Sequence, residues 1–403
     1  MLTEGSEAKK IKKINKIVRR LLHIPLVGRI RYSGMNKRLK VEAGKTMFFT
    51  FQGKYTCNPK YISMEMLQRN LPWKQVWVIP DGETAGQETF PPNADVVAFG
   101  TRAYYEALST SQFLIDNAFN FEKGCAFKKL GQYYLETMHG SLGIKKIGPD
   151  AVRNIRRNHR GQVCGKVTDY VFSNSTFENM VYETSFWRKE SIALIGHARN
   201  DIFFLPDDEI EKIRRKVRLR LGLDDKVKLA MYAPTVSLNP NTEYEKLDFR
   251  RLKNSLLDRF GGEWVILNRS HHTDAVRGNK SIPLDTVDVT EYPDIQELML
   301  AIDVGITDYS SWIFDYVLSK KIGFLYVPDL EDYDAGRGFY YPLTEVPFPI
   351  AKNNEELIQR ILSFSEEDFQ ADVEKFLERR GCIDDGHASE RIVDLMTEIA
   401  AKQ

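Results

Sequence analysis

The chain has 403 residues, of which 42% are hydrophobic and 28% charged, and it carries a net charge of +1. That length allows two globular domains with separate cores. The near-zero balance excludes a polycation, so any attraction to phosphate must come from uneven placement of charge.

The first forty residues are compositionally distinct. No acid lies between Glu7 and Glu42, and twelve lysines and arginines fall in that gap. Ile11, Ile14, Ile17, Val18, Leu21 and Leu22 recur at helical spacing, which predicts an amphipathic helix ended by Pro25. Such a helix suits an anionic membrane surface, where each base contributes about 1 kcal/mol. A solvated helix packed on the protein, a nucleic-acid patch and a disordered basic arm are open alternatives.

From Lys45 the pattern alternates. Thr46 to Phe51 reads as a buried strand, followed by Gly53-Lys54-Tyr55 and a helix after Asn58-Pro59. Val76–Ile79, Val96–Phe99, Phe113–Asp116 and Tyr133–Met138 continue as strands, with His139-Gly140 at the end of the last. Tyr170–Ser175 and Ile192–Gly196 follow, and then a charged helix from Asp207 to Arg220. Strands alternating with helices predict a parallel sheet covered on both faces, with chemistry at the C-terminal strand ends.

The alternation repeats in Lys228–Ala233, Trp264–Asn268, Val287–Val289, Val304–Thr307, Gly323–Val327 and Pro349–Ala351, before a helical end from Asn354 to Ala401. The boundary is placed near residues 200–208, giving segments 1–40, 41–205 and 206–403. The fold class is α/β, with two doubly wound Rossmann-like units facing a cleft. The stretch Val304 to Tyr316 is the centre of the second unit. A strand meets Thr307-Asp308-Tyr309-Ser310-Ser311 and then an apolar helix, so unpaired N–H groups and hydroxyls collect at one point. An ordinary N-cap fits the same local pattern.

Cys57, Cys125, Cys164 and Cys382 are far apart and have no metal-site spacing. They read as thiols of a reducing compartment. No apolar run approaches the roughly 20 residues of a membrane-spanning helix, and no secretory signal is evident. The expected location is the cytoplasm. The acidic run Asp329 to Asp334 lacks a dedicated loop and is read as solvated rather than as a metal site.

Seven blocks stand in order along the chain: Phe51–Tyr55 with Asn58-Pro59, Met138–Ser141 with Lys145–Gly148, Gly196–Asp201, Tyr232–Thr235, Arg269–His271, Thr307–Ser311 and Arg337–Tyr340. Together they resemble the CDP-glycerol glycerophosphotransferase family, the teichoic-acid primases and polymerases. The chain departs from the family at Met138, where a tryptophan is usual, and at Val236-Ser237. The resemblance implies a GT-B architecture and transfer of a polyol phosphate, glycerol phosphate first. The donor is a CDP-polyol, the acceptor a lipid-linked or polymer hydroxyl, and the product CMP.

It also assigns roles. His139 is the candidate base, since an imidazole accepts a proton near neutral pH. His271 matches the family's second histidine and is expected to serve the donor pyrophosphate or the leaving phosphate; adjacent His272 is the alternative. Thr307, Ser310 and Ser311 are expected to hold the pyrophosphate. Arg337 and Arg269 are expected to contact phosphate, for which a guanidinium fork is suited. Gly140 permits close approach, and Tyr232, Pro234 and Thr235 are expected to shape the cytidine end. Glu136 and Asp116 are candidates to orient His139, while His197 and His387 read as structural. Neither a metal nor a cofactor is expected. The implied partners are the CDP-polyol, the acceptor and an anionic membrane surface, with no nucleic acid. The implied location is the inner face of the cell membrane. A nucleotide-sugar glycosyltransferase and an inactive membrane-bound scaffold are the competing functions.

Overall fold

The computed structural model describes residues 33–80, 90–120, 128–151, 155–235, 244–270 and 285–402. The basic helix expected before Pro25 lies outside these residues, as do His271 and His272.

Two parallel sheets organise the chain. The first contains β1 (Glu42–Phe49), β2 (Gln75–Ile79), β3 (Asp95–Ala98), β4 (Ser111–Asp116), β5 (Tyr133–Glu136), β6 (Tyr170–Ser173) and β7 (Ile192–Leu194). Their order is β3-β2-β1-β4-β5-β6-β7. The second contains β8 (Lys228–Tyr232), β9 (Trp264–Asn268), β10 (Thr286–Asp288), β11 (Val304–Thr307), β12 (Ile322–Tyr326) and β13 (Ile350–Ala351), in the order β10-β9-β8-β11-β12-β13. The central strands are apolar runs because helices cover both faces. Phe48, Trp77, Leu114 and Leu135 are fully buried in one sheet, and Ala230, Leu267, Ile306 and Phe324 are nearly or fully buried in the other.

Both sheets start at an inner strand, wind outward one way and then reverse. The reversal falls between β1 and β4 in the first sheet and between β8 and β11 in the second. Open α/β sheets bind ligands outside the strand C-termini at such a reversal. The molecule therefore has two such points.

A turn of 3-10 helix, Ala198–Phe204, links the units. Helix α1 (Cys57–Gln68) belongs to the first and α2 (Asp207–Leu221) opens the second. In α2, Asp207, Asp208 and Glu209 occupy the first turn and Arg218 and Arg220 the last, matching the helix dipole. The sequence alone groups residues 206–403 as one unit. Its last helix, α3 (Ala388–Ala401), instead returns to the first unit. Asp201 accepts the Ala388 and Ser389 amides at 2.9 and 2.7 Å, capping that helix, and Ile383 N–H donates to the Asn174 carbonyl at 2.8 Å. Arg69, which caps the C-terminal end of α1, pairs with Asp394 of α3 at 2.5 Å. An amphipathic helix needs an apolar surface to cover, and nothing in its own periodicity states which one.

Candidate active site

A cavity of about 280 Å³ lies where the two reversal points face each other. Its first-unit wall comes from the ends of β1 and β5. Phe51 and Lys54 follow β1, and His139 follows β5. Gly53 makes the tight turn between Phe51 and Lys54 at φ +66°. A Cβ there would stand 2.6 Å from Pro80 Cδ and 2.8 Å from Ile79 Cα, so no side chain fits.

His139 sits on a braced turn. Its Nδ1 lies in a short contact with the Asn117 carbonyl, which can only accept, so Nδ1 carries the proton and Nε2 the lone pair. Asn117 is in turn fixed by Phe51 N–H, which donates to its Oδ1 at 3.0 Å. Met138, just before His139, has φ +51°, a left-handed conformation uncommon for such a residue. Asn58 Nδ2 donates to the Thr137 and Met138 carbonyls at 2.8 and 3.1 Å and holds that turn. The Phe51 ring stacks on the imidazole with centroids 6.3 Å apart.

The second-unit wall comes from the loops after β8, β9 and β11. Pro234, Arg269, Ser270, Ser310 and Ser311 all line the cavity. Arg269 Nη1 donates to the Val289 and Tyr292 carbonyls at 2.7 and 2.9 Å, which locks its guanidinium at the wall. Burial lowers the Arg269 pKa, with Asp294 and Glu291 opposing, and an arginine stays charged throughout. Ser310 and Ser311 precede a helix of only five residues, Trp312–Tyr316. So short a helix contributes little macrodipole; on this wall the serines and Arg269 are donors, and Lys54 adds a cation from the opposite wall.

Other expected residues lie elsewhere. Thr307 is fully buried and its hydroxyl donates to the Ala233 carbonyl at 2.7 Å, beside the Trp312 indole N–H at 2.8 Å. It shapes the loop and does not line the cavity. The reason is strand alternation: Thr307 ends β11 facing the core. Thr235 is tied to Asp308, which accepts its N–H at 2.8 Å and its hydroxyl at 2.6 Å. Tyr232 packs edge-on against Phe249. Gly140 faces open space, with nothing within 4 Å of an added Cβ.

Arg337 is outside this cavity, at the end of the helix Leu330–Arg337. Its Nε is buried without a hydrogen-bond partner among the described residues. The next residues cross the seam between units: Lys146 N–H donates to the Gly338 carbonyl at 3.2 Å and Tyr340 N–H to the Ile144 carbonyl at 2.8 Å. In the acidic run, Asp329 accepts the Tyr309 hydroxyl at 3.2 Å and Asp332 that of Tyr244, so both carboxylates have protein partners. His197 is fully buried on Glu178 at 2.8 Å, and His387 faces Glu390 at 3.1 Å.

The sequence reading missed what joins the two walls. Arg199, nearly fully buried, makes a two-pronged pair with Asp315: Nε to Oδ2 at 2.8 Å and Nη2 to Oδ1 at 2.9 Å. Its Nη1 also approaches Cys57 Sγ at 3.5 Å, and Arg199, Asp315 and Cys57 all line the cavity. A second clamp holds α1 to the helix Ile295–Ala301. Lys60 pairs with Asp294 at 2.5 Å and Glu297 at 3.1 Å, and the Tyr61 hydroxyl donates to Asp294 at 3.0 Å. Burial alone would lower the Lys60 pKa; the two carboxylates outweigh it and raise it. Arg199 stands in the Gly196–Asp201 block, the only signal that marked it.

Two Rossmann-type units meeting at a cleft, with an imidazole on one wall and guanidinium and hydroxyl donors on the other, define a GT-B-like architecture. The chain belongs to the CDP-glycerol:poly(glycerophosphate) glycerophosphotransferase family, whose sequence profile matches residues 32–398. It is 29% identical to the teichoic acid poly(glycerol phosphate) polymerase of Staphylococcus epidermidis, over 98% of this chain and 57% of that protein. It is also 29% identical to the teichoic acid glycerol-phosphate transferase of Staphylococcus aureus, over 86% of this chain and 90% of that one. The chain thus spans little more than half of the first of these relatives. Its structure is similar to that of the wall teichoic acid polymerase TagF, in a histidine-to-asparagine variant soaked with CDPG. The TM-score is 0.80 at 26% identity, covering 100% of both chains.

Proposed function

We propose that the protein transfers glycerol phosphate, or a related polyol phosphate, from a CDP-activated donor to a hydroxyl of a teichoic-acid or capsule-like acceptor. One observation carries the reading: His139 faces Arg269, Ser310 and Ser311 across a single cavity at the two facing reversal points. The acceptor hydroxyl gives its proton to His139 Nε2 while its oxygen bonds to the β-phosphorus. The bond from that phosphorus to the bridging oxygen breaks, and that oxygen leaves with CMP. The protein's contribution is alignment and charge stabilisation. Arg269, Lys54 and the serines would hold the pyrophosphate, and Pro234 the cytidine side. Arg337 would meet phosphate from the seam. His271, beyond the described residues, would assist the departing phosphate.

The test is CMP release from CDP-glycerol, CDP-ribitol and a UDP-sugar, each with and without a lipid-linked acceptor. CMP from a CDP-polyol, dependent on acceptor, is expected. Sugar transfer from the UDP donor alone would replace this reading with a glycosyltransferase.

We also place the work at an anionic membrane surface, with a lipid-linked acceptor. No helix among the described residues is long and apolar enough to cross a membrane. The support is the acid-free basic segment. Leu39 already packs on the body, since its carbonyl accepts Lys129 Nζ at 2.6 Å, so the cut belongs before it. Removing residues 1–32 is expected to release the protein from anionic vesicles and to spare CDP-glycerol binding. Vesicle sedimentation at low and high salt reads this, because exposed charges are screened over about 8 Å at physiological ionic strength. Equal pelleting of both proteins would remove the segment from the membrane contact.

A further inference from the structure

Two carboxyls and a phenol are buried together beside the His139 turn. Asp116 ends β4 and Glu136 ends β5, and the two residues are register partners in the sheet. Both are fully buried, as is Tyr134. The Tyr134 hydroxyl lies 3.1 Å from Asp116 Oδ2 and 3.0 Å from Glu136 Oε2.

A phenol has one proton to donate. If it gives that proton to one carboxylate, its contact with a second ionised carboxylate is oxygen against oxygen. One proton on the pair removes the conflict: the acid donates to the phenol oxygen, and the phenol donates to the remaining carboxylate. The charge belongs on Asp116, whose Oδ1 also accepts Ala118 N–H at 2.9 Å and Asn120 Nδ2 at 3.1 Å. Burial, then the nearby Asp116 charge, pushes the Glu136 carboxyl well up, against the Met138 and Phe119 amides and the phenol.

The same groups grip both sides of the His139–Asn117 contact. Glu136 Oε1 accepts Met138 N–H at 3.0 Å, on the left-handed residue that aims His139. Asp116 accepts Ala118 N–H, just past Asn117, and its own carbonyl accepts Thr137 N–H at 2.7 Å. We propose that Glu136 is held as the neutral acid and, with Tyr134 and Asp116, forms a positioning unit that fixes the orientation and tautomer of His139. The proposal rests on His139 being the base.

The neutral-acid assignment makes a sharp distinction among variants. In Glu136→Gln the carboxamide oxygen can still accept Met138 N–H, and the NH₂ can still donate to the Tyr134 oxygen. That variant is expected to keep kcat within about twofold. Glu136→Ala removes the acceptor of Met138 N–H and one of the two carboxyls that meet the phenol. It is expected to lower kcat about tenfold to a hundredfold with KM for CDP-glycerol nearly unchanged, the scale of a misplaced catalytic group. Tyr134→Phe keeps the Met138 contact and loses only the shared hydroxyl, so a smaller fall of kcat at constant KM is expected. It serves if Glu136→Ala does not fold.

The second readout is the His139 tautomer by ¹⁵N NMR of histidine-labelled protein, assigned by difference from His139→Ala. The Nδ1–H form should persist in Glu136→Gln and become mixed in Glu136→Ala or Tyr134→Phe. Glu136→Gln as impaired as Glu136→Ala would show that the charge is needed and overturn the assignment. Wild-type kcat and an unchanged tautomer in Glu136→Ala and Tyr134→Phe would overturn the positioning unit. Should His139→Ala itself turn over normally, the base reading fails separately, and the tautomer alone judges the unit.

Discussion

Replacing His139 with alanine is expected to lower acceptor-dependent CMP release by about 10²–10⁴-fold, the usual contribution of a positioned general base. Affinity for CDP-glycerol should stay close to wild type. The asymmetry comes from the two walls. His139 belongs to the first unit and is held through its Nδ1 by the Asn117 carbonyl, which leaves the Nε2 lone pair as the proton acceptor. The groups suited to phosphate, Arg269, Ser310 and Ser311, stand on the second-unit loops and do not depend on the imidazole. Lys54 shares the first wall, and the turn that carries it is fixed by Gly53. Steady-state kinetics should therefore show a fall in kcat, while calorimetry with CDP-glycerol shows little change. A mutant with wild-type turnover would remove His139 from the chemistry. A mutant that had lost donor binding would instead make it a binding residue.

Replacing Arg199 with methionine is expected to destabilise the fold by about 3–5 kcal/mol, the scale for removing one partner of a buried ion pair. The penalty arises at Asp315, which is left beside the cavity with the Gln296 carboxamide, at 3.2 Å, as its remaining side-chain donor among the described residues. Burial disfavours the Arg199 charge, but Asp315 and Cys57 outweigh it and push the Arg199 pKa up, so the guanidinium keeps its charge in the native protein. Asp315 lines the same cavity as Ser310 and Ser311, so an uncompensated carboxylate there also repels the donor phosphates and should raise KM. The double variant Arg199→Met with Asp315→Leu removes both charges and should recover most of the lost stability, since well-packed apolar groups replace buried pairs without penalty. Denaturant unfolding of the two singles and the double reads the coupling. A single Arg199 variant within about 1 kcal/mol of wild type would show that the pair does not hold the units together.

Much of the architecture was legible before any coordinates. Runs such as Val76–Ile79 and Val304–Thr307 are apolar because a parallel strand is covered on both faces, and that requirement is local to each run. The alternation with helices then limits the topology to right-handed crossovers, which places the chemistry at strand C-termini. His139, Pro234, Arg269, Ser310 and Ser311 stand in the family-like blocks at those strand ends, and they converge on one cavity. Thr307 was marked by the same block and turned inward, because its position in β11 fixes its direction regardless of its hydroxyl.

By itself, then, the sequence determined the two sheets, the strand ends that carry the site, and the family. Those features depend on neighbours within a few residues, through burial period and turn chemistry. Only the tertiary structure decided the rest: the pairing of Arg199 with Asp315 across 116 positions, the Lys60 clamp, the return of the last helix to the first unit, and the meeting of the Tyr134 hydroxyl with Asp116 and Glu136. A buried charge requires a partner, but its own surroundings in the chain do not say which one. That choice is made when packed surfaces bring distant polar groups together where water cannot solvate them.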